Sequence, residues 1–140
     1  MSQDVLGTLT ERLRAVPLFA DLDGDSIGRV AAIVKDFDVT AGHVLIQPRT
    51  AGAGLFIIEA GTVAVTFKDK EIDLGPGDFV GEVSLLDDQT DRTARVTATT
   101  AVRGWCIPRD PFIELLYSEP GIALAMLRAL AHRLAETDTL

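Results

Sequence analysis

From Phe37 onward apolar residues recur at every second position in short runs, and this alternation constrains the fold more than any other feature of the chain. Phe37 and Val39 come first, then Val44-Leu45-Ile46 after a Thr40-Ala41-Gly42-His43 turn. Leu55 to Ile58 follow a glycine-rich loop. Gly61 turns the chain into Val63, Val65 and Phe67, and Lys68-Asp69-Lys70 turns it again into Ile72 and Leu74. Two further runs, Arg95 to Arg103 and Trp105 to Ile107, complete the set. Short strands separated by turn residues at this interval specify a small antiparallel barrel or sandwich.

Helical spacing brackets the strands. Leu9, Leu13 and Val16 share one face of a segment that runs from Thr8 until Pro17 ends it, and Leu18-Phe19 should join the core. The acidic run Asp21-Leu22-Asp23-Gly24-Asp25 fails as a calcium loop, because glycine stands fourth instead of sixth and Ala32 occupies the twelfth place. It reads as an N-cap, with acids at the positive dipole end of a helix from about Ser26 to Val34. After the strands, Pro108 closes the region and Pro111 suits the first turn of a helix over Phe112 to Tyr117. A final helix follows Ser118-Glu119-Pro120-Gly121. Its Leu124, Leu127, Ala131 and Leu134 fall at heptad-like a and d positions, which suits either a short homodimer seam or a face laid over the strands.

Charge and rare residues exclude several functions. At 140 residues, 47% apolar and 24% charged, the chain reads as one ordinary globular domain. No apolar run approaches the ~20 residues that span a bilayer, and the first sixteen residues lack the pattern of a signal peptide. The single cysteine, Cys106, allows no internal disulfide, so a cytoplasmic protein is expected. A net charge of −8 is the wrong field for duplex nucleic acid, yet it permits one nucleotide held by local donors. His43 and His132 are too few for a cupin-type metal centre, and Trp105 and Cys106 read as packing residues. With no nucleophile–base pair and no carboxylates flanking a cleft, neither an enzyme nor a metal is expected.

One stretch interrupts the strands: Gly75 to Ala98, GPGDFVGEVSLLDDQTDRTARVTA. A Gly-Pro-Gly-Asp turn leads through Phe79-Val80 to Gly81, which can take φ > 0 and let backbone approach a ligand. The amides of Glu82, Val83 and Ser84 then open a short helical turn, a place for one phosphate-sized anion. Arg92 returns ten residues later with a planar fork for the same oxygens, and Thr93 beside it offers a hydroxyl. Glu82 has the wrong sign for a phosphate and the right one for sugar hydroxyls. Together these features describe a small anion bearing a ribose.

The stretch resembles the phosphate-binding cassette of the cyclic nucleotide-binding domain family. It is most similar to the sensory domain of the catabolite activator protein (cAMP receptor protein) group, which shares the opening Gly77-Asp78-Phe79-Val80-Gly81-Glu82 and the Glu-to-Arg interval. The likeness extends from about Leu9 to Thr137. It implies a mainly β fold, an antiparallel β-barrel or jelly roll (double-stranded β-helix) over 36–108 with its cassette at 77–95. Helices would occupy about 8–34 and 109–138. It further implies that Arg92 binds the cyclic phosphate, that Glu82 accepts from the ribose 2′-OH, and that Gly81, Glu82, Val83 and Ser84 form the backbone cradle. Sliding the last helix against the family sets Arg133 and Thr137 at the base-facing positions. The expected ligand is cAMP, with cGMP the alternative, since Asp138 stands where a serine is usual after that threonine. His43 and the loop Gln47 to Gly52 also depart from the family pattern, as loop variation.

The implied role is a sensory module that passes occupancy to an output protein through its last helix, with neither nucleic acid nor membrane as a direct partner. A degenerate domain that keeps the fold and serves only interaction or dimerisation is the alternative. Family regulators continue into a helix-turn-helix domain, so the chain reads as a free-standing sensor or as the sensory piece of something longer.

Overall fold

The structure is a computed structural model that describes residues 8–47, 54–82 and 94–137. It comprises α1 (Leu9–Arg14), a 3-10 turn (Pro17–Phe19), α2 (Gly24–Ile33), eight strands, α3 (Arg109–Ser118) and α4 (Pro120–Thr137). The strands are β1 (Lys35–Val39), β2 (Val44–Ile46), β3 (Gly54–Ala60), β4 (Val63–Phe67), β5 (Lys70–Leu74), β6 (Phe79–Val80), β7 (Arg95–Ala98) and β8 (Val102–Pro108). Two compact units result, a strand unit over Ile33–Ile113 and a helical unit formed by the two ends of the chain.

In the strand unit β1 pairs with β8, β2 with β7, β3 with β6 and β4 with β5, all antiparallel. This is one long hairpin, bent at the β4–β5 turn and wound on itself. The extra pairings β3–β8 and β4–β7 join it into two four-stranded sheets, ordered β1-β8-β3-β6 and β2-β7-β4-β5. That order is a jelly roll. Of the two expected forms, two sheets are observed and a closed barrel is not found among the described residues.

Alternation along β3 explains why both of its faces read as apolar. Ile58 joins Ile46, Val63, Val80, Val96, Ala98 and Val102 in one core cluster, and Phe56 packs against it. Leu55 and Ile57, pointing to the other face, are fully buried as well. Phe56 meets Phe37 edge to face at 5.5 Å, a favoured aromatic geometry.

One strand boundary differs from expectation. The run Arg95 to Arg103 is broken, because β7 stops at Ala98 and Thr99-Thr100 turn toward Thr62. Thr99 donates its N–H to the Thr62 carbonyl (3.0 Å), and Thr62 donates its own N–H to Thr100 Oγ1 (3.0 Å). Threonine hydroxyls that bond nearby backbone compete with the ladder and end it.

In the helical unit, Thr8 caps α1 by accepting from Glu11 N–H at 3.2 Å. Asp23 caps α2 by accepting from Ser26 N–H at 2.8 Å, which holds its carboxyl below the usual range. The 3-10 turn packs against both α1 and α4. On α4 the buried residues are Ile122 and Met126, whereas Leu124, Leu127 and Leu134 are 47%, 63% and 56% exposed and Ala131 is exposed too. The a and d stripe is therefore not the face this chain buries. Among the described residues, no helix is long and apolar enough to cross a membrane.

Candidate functional site

The candidate site begins with a turn that the sequence dictates residue by residue. Pro76 at the second position and Gly77 at the third, with φ +90°, match the type II signature. Asp78 N–H donates to the Gly75 carbonyl (3.0 Å), and Gly75 N–H donates to Asp78 Oδ2 (2.9 Å). The turn is tied to the sheet through Ile58, whose carbonyl accepts from Gly77 N–H (2.8 Å) and whose N–H donates to the Asp78 carbonyl (2.9 Å). β6 leaves this anchor at the edge of its sheet, with Phe79 and Val80 both buried and paired to Ile57 and Phe56.

Gly81 follows at once, with φ +98°. A Cβ there would lie 2.6 Å from the Gly54 carbonyl oxygen and 3.6 Å from Ile46 Cδ1. Gly54 is itself pressed against β8, where a Cβ would lie 2.3 Å from the Ile107 carbonyl oxygen. Two glycines thus let three backbone segments close up at one end of the sandwich. Cys106 lies beside Gly54, half-buried, and desolvation pushes its thiol up.

Glu82 comes next and is only 8% exposed, one of three buried polar or charged residues among those described. Carboxylates are rarely this buried without a compensating partner.

Of the residues expected at the site, Gly81 and Glu82 are adjacent at the end of β6. Val83, Ser84, Arg92 and Thr93 lie outside the described residues. Arg133 is half-buried on α4, and Thr137 is that helix's last residue; both belong to the helical unit. Two further residues shape this end of the sandwich with weaker signals in the sequence. Gly54 sits beside a glycine-rich loop in the sequence, and as the residue that opens β3 it signals close backbone approach. Asp78 is a turn residue by type, and only the structure shows the side-chain hydrogen bond that fixes the turn. No group of three His, Cys, Asp or Glu side chains among the described residues could hold a metal ion.

Comparison with known proteins places this geometry. A family model described as "Cyclic nucleotide-binding domain" matches residues 37–119, more than half of the chain. A CRP-like cAMP-activated global transcriptional regulator of Mycobacterium tuberculosis is 27% identical over 136 residues, covering 93% of this chain and 60% of that protein. Among solved structures, the N-terminal domain of a Streptomyces coelicolor transcriptional regulator is 31% identical with a TM-score of 0.63, covering 91% of this chain and 95% of the other. A cAMP-binding acyltransferase from Mycobacterium smegmatis is 29% identical with a TM-score of 0.76, covering 91% and 41%. The chain spans 22% of the length of the first curated relatives it matches. With the jelly-roll order, the left-handed Gly81 before a buried Glu82, and a matched span that includes all eight strands but the first two residues of β1, the chain belongs to the cyclic nucleotide-binding domain family.

Proposed function

We propose that this domain is a cyclic nucleotide sensor with cAMP as its ligand, performing no catalysis of its own and passing occupancy to a partner protein through α4. The observation that carries this reading is the buried residue Glu82 directly after a left-handed glycine. A carboxylate at this place has the sign and the acceptor oxygens that sugar hydroxyls require. In this reading Gly81 and the amides of Glu82, Val83 and Ser84 cradle the phosphate, and Arg92 and Thr93 complete its shell. Arg133 and Thr137 serve the base. Relatives named for cAMP and for cGMP are both among those matched, so the preference for adenine rests on the likeness of the cassette to the activator group. Ligand can drive α4 only through its differential affinity for two states of the domain. The setting proposed is cytoplasmic, with no direct contact to nucleic acid or membrane.

Calorimetric titration with cAMP and cGMP tests this on the intact chain and on Arg92→Ala. Loss of one charge-assisted contact should weaken binding about ten- to a hundredfold. No heat with either nucleotide, on a folded sample free of co-purified ligand, would remove the sensor reading and leave an interaction module. The exposed stripe Leu124, Leu127, Ala131 and Leu134 favours a homodimer through α4 under either reading.

A further inference from the structure

Among the described residues, Glu119 is the one buried acid that the nucleotide reading does not use. It is the single residue between α3 and α4, so the direction in which α4 departs is decided at its backbone. That backbone serves both helices. Glu119 N–H donates to the Leu115 carbonyl (2.8 Å), finishing α3, and the Glu119 carbonyl accepts from Ile122 N–H (2.9 Å), starting α4. Pro120 brings no N–H and biases the residue before it away from helical dihedrals, so the two helices cannot merge into one at this point. Leu115 and Ile122, on either side, are buried anchors.

The Glu119 side chain, 10% exposed, reaches Arg29 of α2, with Oε2 accepting from Nη1 at 2.6 Å. The arginine is 59% exposed. Between two exposed partners such a pair contributes little. Here one partner is buried, so removing the arginine leaves a charge that must be rehydrated, and the means of rehydration is movement of the backbone that carries it. Ninety residues of sequence separate the pair. It is therefore a tertiary tie laid across a joint that two buried side chains and a proline already define.

We propose that the Arg29–Glu119 pair is a clamp on the α3–α4 joint, holding α4 in one orientation relative to α2, and that its opening is the step by which α4 is released. The clamp is independent of any nucleotide and stands whether or not the cassette binds one.

Hydrogen exchange on the intact chain without ligand tests it, with Arg29→Met and Arg29→Lys beside the native protein. Arg29 is exposed, so both variants keep the buried packing. In Arg29→Met, the amides of Ile122, Ala123 and Leu124 should exchange about tenfold faster or more, as local opening becomes easier, while Ile57 and Trp105 in the sandwich keep their rates. Arg29→Lys, which retains the charge, should recover most of the protection. Unchanged exchange at the joint would overturn the clamp. So would a rise shared equally by the sandwich, which would make the pair a support of global stability. Equal behaviour of the Met and Lys variants would overturn it too, because charge would then not be what holds the joint.

Discussion

Single residues here act mainly through backbone geometry and caps. Gly81 combines φ +98° with a carbonyl oxygen 2.6 Å from where a Cβ would be. Gly81→Ala should therefore cost about 1–3 kcal/mol in urea unfolding, whatever it does to ligand binding. A variant as stable as the native chain would mean that the site end of β6 relaxes freely. Asp23 makes a prediction of a different kind. Its carboxyl is held low first by the Ser26 hydrogen bonds, with the Arg29 charge a smaller influence. A depressed folded value contributes stability that is present above the unfolded value, about pH 4, and is lost as pH falls through the folded one. Asn can accept the same cap bond without titrating, so the native chain should melt above Asp23→Asn at neutral pH and the gap should close below about pH 4. A gap that stays constant with pH would show that the cap carries no charge-dependent stability. The positive φ of Gly81 was legible in the sequence from the motif around it. Its contact with Gly54 was not, since the two are neighbours only through the pairing of β3 with β6 and β8.

At the scale of elements, two glycines that look alike in the sequence do opposite things. Gly28 lies inside α2, where a Cβ would meet nothing within 4 Å. Gly28→Ala should raise stability by about 0.5–1 kcal/mol, by restricting the unfolded chain and favouring helix. Gly104, inside β8, leaves no such room, since a Cβ would lie 1.9 Å from the Ile57 carbonyl oxygen. Gly104→Ala should cost about 3 kcal/mol or more, because only movement of the β3–β8 ladder can accommodate it. Denaturant melts of the two variants would give shifts of opposite sign; shifts of the same sign would contradict one of these placements. Turn chemistry made most elements readable. Lys68-Asp69 forms the two-residue loop between β4 and β5, with Lys68 at φ +55° the only non-glycine at positive φ among the described residues. The end of β7 was not readable, because Thr99 and Thr100 suit a strand by propensity and leave it only when Thr62 is alongside. For α4, heptad spacing identified the stripe, and burial decided that Ile122 and Met126 are the inward positions instead.

At the scale of the whole molecule, ligand and self-association are the two couplings to measure. If cAMP binds only the folded domain, a concentration a hundred times its dissociation constant should add about 2.7 kcal/mol of stability, seen as a higher melting temperature. cGMP at the same concentration should add less. Sedimentation of the native chain beside Leu127→Glu tests the α4 seam: the native protein should sediment as a dimer and the variant as a monomer. A native monomer at high concentration would remove the homodimer. What the sequence determined by itself is whatever depends on near neighbours: strand period, turn residues, helix caps, and the run from Gly77 to Arg92 that reads as a phosphate cassette. Such features are set by dihedral preference and by spacing along the chain. The tertiary structure alone decided which strands pair into which sheet, which backbone Gly81 lies against, which face of α4 is covered, and that Glu119 is buried against Arg29. Each of these joins residues distant in sequence, and burial or contact between them comes into existence only when the chain has folded.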